Sequence, residues 1–81
     1  MTREEKYQVY KAMMEMRGIL EPRIRSYYEE QGYTVYCVYL SVADEETRTF
    51  FVDIEVGGSP EKYFRIYGKK TAEALRKKYL A

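Results

Sequence analysis

The sequence predicts an α+β domain of order α-α-β-β-β-α, a three-stranded antiparallel meander packed against helices. Apolar residues recur at helical spacing over most of the first 31 residues. From Tyr33 the period changes to two, in segments rich in β-branched and aromatic side chains. The connections between these segments are too short for crossovers, so the strands follow one another as hairpins. At 81 residues the chain is one domain, near the lower size limit for a self-sufficient core.

The first helix is expected over 1–17. Thr2-Arg3-Glu4-Glu5 fits a capping box, with Thr2 as N-cap and Glu5 three positions on. Tyr7, Val9, Tyr10, Met13, Met14 and Met16 then share half of a helical wheel, with Gln8, Lys11 and Glu15 opposite. Arg17 falls inside the apolar arc, so the helix either ends there or the side chain snorkels. Gly18 and Pro22 favour a connection at 18–21 and a second helix over 22–31, stopped by Gly32. Leu20, Ile24, Tyr27 and Tyr28 would face inward. One long helix kinked between Gly18 and Pro22 is the alternative.

The first strand, 33–43, is apolar on both faces, which fits a central or doubly covered position. Tyr33, Val35, Cys37 and Tyr39 take one face; Tyr36, Val38, Leu40 and Val42 take the other. Ala43 to Thr47 is a polar turn. The second strand, 48–57, alternates plainly, with Phe50, Val52, Ile54 and Val56 inward and Phe51, Asp53 and Glu55 outward. Gly57-Gly58-Ser59-Pro60 is a turn. The third strand, 62–67, points Phe64 and Ile66 inward and Tyr63, Arg65 and Tyr67 outward. The last helix, 69–80, opens after Gly68 and carries an apolar stripe of Ala72, Leu75 and Tyr79.

Composition narrows the function classes. The absence of histidine removes the usual general base and the commonest metal ligand. Serine–histidine and cysteine–histidine machinery is therefore excluded, and the reading is non-enzymatic with no cofactor and no metal. Asp53 and Glu55 share a strand face, but nothing in the sequence converges on them for proton transfer. The acidic turn Asp44-Glu45-Glu46 reads as solvated rather than cation-binding. Cys37, the lone cysteine, lies mid-strand and reads as an inert thiol in a reducing, cytoplasmic setting. No apolar run approaches membrane-spanning length, and the polar N-terminus is no signal peptide.

Net charge is +1, yet residues 61–81 carry +5 and the first sixty −4. Lysines near a helix C-terminus suit its dipole, which accounts for part of that basic quarter. Capping, alternation and turn chemistry agree with one another as they do in designed proteins, although Cys37 and the Met13–Met16 cluster are less idealised.

The outward sheet face is the most informative feature. Ten tyrosines are far above ordinary usage, and Phe51, Tyr63 and Tyr67 join Asp53, Glu55 and Arg65 there. If all helices pack on the other side, this is an exposed aromatic surface, which marks a partner or subunit contact. If the first helix covers it, the same rings are core. Stacking of single-stranded bases is disfavoured by the two central acids.

From Pro22 onward the chain resembles a double-stranded RNA-binding domain. RTFFVDIEVGG at Arg48–Gly58 is similar to that family's second strand and turn, and GKKTAEALRKKYL at Gly68–Leu80 resembles its final-helix signature. Lys69, Lys70 and Ala72 match the phosphate-contacting run. Glu73 replaces its third basic residue, and the family's Gly-Pro-x-His loop is replaced by the acidic Ala43–Thr47. The family's first-helix contacts would fall near Glu29, Glu30 and Gln31. The resemblance implies duplex RNA binding through Lys69, Lys70 and Lys77. The residues themselves favour a different first reading: a homodimer or protein-partner contact through Phe51, Tyr63, Arg65 and Tyr67.

Overall fold

The first helix does not stop at Gly18. In a computed structural model of the chain, which describes residues 1–58 and 63–81, α1 runs unbroken over Arg3–Glu29 with Pro22 inside it. The expected connection at 18–21 and separate second helix are thereby corrected. Proline in a helix interior costs about 3 kcal/mol and leaves the carbonyl one turn back without its N–H. Leu20 and Ile24 flank Pro22 and are both fully buried. Burial of two such side chains contributes roughly 3–6 kcal/mol, which outweighs the proline. Pro22 and Gly18 themselves face solvent, where water can serve the orphaned carbonyl.

The N-terminal capping box forms as expected, with Thr2 and Glu5 exchanging backbone and side-chain bonds. Further along α1, the Arg17 Nε–H donates to Glu21 Oε2 at 3.2 Å, so Arg17 sits half-buried inside a continuing helix. A 27-residue helix is about 40 Å long, and its first turns leave Tyr7 and Tyr10 exposed rather than inward. Gly32 ends the segment at φ 91°, a conformation that suits glycine.

β1 (Thr34–Asp44), β2 (Thr49–Gly57) and β3 (Phe64–Thr71) form an antiparallel sheet in the order β1-β2-β3. The meander is as expected, but β2 is its centre and β1 is an edge. β1 carries apolar residues on both faces for another reason: a bulge between Val35 and Cys37 inserts Tyr36. The bulge shifts the side-chain parity, so Val35 and Val38 both pack against the core while Tyr36 is exposed. A second irregularity lies between Val42 and Asp44. In the turn that follows, Asp44 accepts the Glu46 N–H and the Thr47 hydroxyl at 3.0 and 3.1 Å. Arg48 closes the hairpin at φ 51°.

β3 continues through Gly68, Lys69 and Lys70 to Thr71, where the sequence suggests a helix start. Phe50 pairs with Lys70, Phe51 with Lys69 and Thr49 with Thr71. Ending β3 at Tyr67 would leave that end of β2 without ladder partners on its β3 side. The last helix, α2 (Ala72–Tyr79), is capped instead by Thr71, whose hydroxyl accepts the Ala74 N–H. The expected strand start at 62 and part of the turn at 57–60 lie outside the described residues.

Both helices cover the same sheet face. Leu20, Ile24, Leu40, Phe50, Ile54 and Val56 are fully buried at its centre, and Ala72, Leu75 and Tyr79 line α2 as the sequence predicts. Tyr28 of α1 and Tyr79 of α2 join their hydroxyls at 2.8 Å inside this core. Burial, with the Tyr28 bond second, raises the Tyr79 phenol above its ordinary range. Among the described residues, no helix is long and apolar enough to cross a membrane.

Candidate protein-docking face

The opposite side of the sheet is open. The period-two alternation of β2 and β3, with the bulge of β1, brings Tyr36, Tyr39, Phe51, Tyr63 and Tyr67 to this face, all exposed. Phe51, Tyr63, Arg65 and Tyr67, the residues singled out in the sequence, therefore stand on one surface. Tyr36 and Tyr39 join them. Strict alternation puts Tyr36 on the face opposite Cys37 and carries no signal of the bulge that brings it here.

Charges on this face are paired within it. The Arg65 guanidinium donates twice to Asp53, at 2.8 and 2.9 Å, and lies 3.9 Å from Glu55. It also sits 4.4 Å from the Tyr67 ring centroid, a cation–π geometry. The hydrogen bonds from Arg65 hold the Asp53 carboxyl below its ordinary range, and the same bonds raise the Arg65 guanidinium. The Tyr63 hydroxyl donates to Glu55, which raises the phenol. Lys69 Nζ lies 5.4 Å from the Phe51 centroid. Among the described residues, Asp53 and Glu55 balance Arg65 and Lys69 on this face.

Gly57 permits the tightest contact at one end. A Cβ there would lie 3.0 Å from Tyr36 Cε2 and 3.3 Å from the Tyr63 backbone. Tyr36 and Tyr63 thus come within 6.4 Å, centroid to centroid. At the other end, Tyr39, Phe51 and Tyr67 wall a trough of about 390 Å³ that crosses the strands over Val52 and Gly68. Same-face residues along a strand are about 6.6–6.8 Å apart, room for one aromatic ring between two others.

Cys37 is half-buried on this face, and its thiol is raised first by desolvation and then by Asp53 and Glu55. That keeps it protonated and poorly nucleophilic. Cys37, Asp53 and Glu55 place ligand atoms within 4.8 Å of one another. Arg65 already supplies positive charge to both carboxylates, so a metal ion would have to displace it.

The basic residues are distributed differently. Lys69 stands on the open face; Lys70 lies on the helix side of β3, and Lys77 is exposed on α2, 3.6 Å from Glu73. Lys69 and Lys70 belong to β3 rather than to the helix; they precede the N-cap Thr71 but point to opposite faces of the sheet. The sheet separates Lys69 from the other two. Comparison of the chain with known protein families, with curated proteins and with solved structures finds no match.

Proposed function

We propose that the chain is a non-catalytic binding domain whose open sheet face pairs with the same face of a second copy. One observation carries the reading: a cluster of exposed aromatic rings whose neighbouring charges are already compensated in place. A twofold pairing brings such a face against itself without like-charge repulsion. The exposed fractions of Tyr36, Tyr39, Phe51, Tyr63 and Tyr67 are 60, 51, 46, 59 and 72%. At about 150–250 Å² per ring they represent roughly 400–700 Å². A standard interface takes about 800 Å² from each partner, a scale this face reaches once Arg65, Lys69 and Ser41 are added. The trough beside Tyr67 gives a partner's tyrosine a place to anchor. The free Cys37 fits a cytoplasmic setting.

Size-exclusion chromatography with light scattering tests the reading. A dimer is expected at tens of micromolar, and the Tyr63→Ala/Tyr67→Ala double variant should be a folded monomer. A wild-type monomer at that concentration, or a double variant that stays dimeric, overturns it. The order helix, meander, helix is what favours duplex RNA binding through Lys69, Lys70 and Lys77 as the second reading. The opposed directions of Lys69 and Lys70 rank it lower. It predicts a complex in a low-salt gel shift that dissolves steeply as salt rises.

A further inference from the structure

The two edges of the sheet are not equivalent. On β1, the outward Leu40 N–H is taken by Glu21 Oε2 at 3.0 Å, and the outward Val35 carbonyl accepts from Arg25 at 3.4 Å. Side chains of α1 therefore block that edge. Leu40 is opposite Val52, and Val35 is opposite Val56. Pairs that turn away from the β1–β2 ladder turn toward β3, so Val52 bonds Gly68 and Val56 bonds Phe64. The alternation leaves the main-chain N–H and C=O groups of Arg65, Tyr67 and Lys69 facing outward from β3. Among the described residues, no side chain bonds to them.

The β3 edge also has a chemical character. Its sequence, FRIYGKKT, holds Arg65, Lys69 and Lys70 and no acid. An antiparallel copy of the same strand would set these cations against one another, which disfavours self-pairing along this edge. On the helix side, Phe64 and Ile66 are only half-buried, whereas Val52, Ile54 and Val56 of β2 are sealed. Beside them lies a groove of about 190 Å³, floored by Ile54, Ile66, Leu75 and Tyr79 and rimmed by Lys70 and Lys78.

We propose that the β3 edge receives an extended acidic segment of a partner protein as a fourth strand. The segment would bond the main chain of Arg65, Tyr67 and Lys69, with the carboxylates on its open-face side meeting Arg65 and Lys69. An apolar side chain at alternate positions would fill the groove above Ile66. Main-chain bonds then supply affinity, and the groove on one side with the cations on the other supplies selection. The main-chain groups lie at the sheet edge while Arg65 and Lys69 are shared with the open face, so the dimer is read by light scattering and the added strand by protection of the edge amides.

The probe is a fluorescein-labelled octapeptide alternating glutamate and valine, titrated by anisotropy at low salt. Saturable binding is expected, at least tenfold tighter than for a peptide of the same composition with the glutamates and valines in separate blocks. Lys69→Gln should weaken it modestly. Lys69→Pro, which also removes an outward N–H while leaving the β2–β3 ladder intact, should weaken it a further tenfold. Hydrogen exchange on the wild-type protein serves if the proline variant does not fold: the Arg65, Tyr67 and Lys69 amides should gain protection with peptide. Absence of binding, equal binding of the block peptide, or no added protection at those amides overturns the proposal. A short RNA duplex that binds where the peptide does not would also overturn it.

Discussion

The Glu21 carboxylate accepts the Leu40 backbone N–H at 3.0 Å while also holding the Arg17 guanidinium at 3.2 Å. One side chain in the middle of α1 thereby ties the helix to an edge strand and fills a bonding position that a second strand would otherwise use. Glu21→Ala should cost about 1–2 kcal/mol in urea denaturation. It should also make the protein more prone to concentration-dependent aggregation. Glu21→Gln keeps an acceptor and should lose less. If Glu21→Ala matches wild type in both measurements, the contact contributes nothing.

The Tyr28–Tyr79 hydroxyl pair should behave cooperatively. Removing one hydroxyl strands the other inside the core, so Tyr28→Phe or Tyr79→Phe alone should cost about 1–3 kcal/mol. The double variant should cost less than the two single losses together. A double-mutant cycle by chemical denaturation measures the coupling, and additive losses would contradict it.

The same pair sets a dependence on alkaline pH. The Tyr79 phenol is raised above its ordinary 10.0 by burial and then by Tyr28. Above pH 10 the unfolded chain releases this proton while the folded chain keeps it, so stability falls as pH rises. Below pH 10 both states are protonated and the contribution is complete. Thermal melts from pH 8 to 11 should show the decline, and Tyr79→Phe should flatten it relative to wild type.

At acid pH the ion pair on the open face responds in the opposite sense. Asp53 is held below its ordinary 3.8 by the hydrogen bonds from Arg65. Its stabilising contribution is present above pH 3.8 and disappears as pH falls through the lowered value. Carboxyl carbon titration by NMR should give Asp53 a midpoint under 3.8, returning toward it in Arg65→Gln. An unchanged midpoint in that variant would show that Arg65 is not the cause.

Gly18 is a helical position with open space around a prospective Cβ. Gly18→Ala should therefore stabilise the protein by about 0.5–1 kcal/mol, through reduced freedom of the unfolded chain and better helix propensity. A rise in thermal midpoint checks it. A fall would mean that the backbone near Pro22 departs from ordinary helix in a way only glycine allows.

Several features were legible in the residues because local chemistry decides them. The alternation of Phe50 to Val56 sorts one face from the other by a two-residue period. Thr2 and Glu5 announce a helix start, Gly32 marks its end, and the stripe Ala72, Leu75 and Tyr79 is the buried side of α2. The exposure of Phe51, Tyr63 and Tyr67 followed from the same parity, given that both helices lie on the other side.

Other features belong to the tertiary structure alone. Pro22 and Gly18 are local stop signals, yet α1 passes through them because Leu20 and Ile24 lie under the sheet. Gly68 resembles punctuation, yet β3 runs on through Lys69 and Lys70 because β2 offers them ladder partners. Tyr36 changes faces because the β1–β2 register contains a bulge that neither strand encodes by itself. Periodicity reports which side of a segment is apolar. How far each segment extends, and which edge remains open, depends on partners distant in sequence whose contacts outweigh local preference by a few kcal/mol.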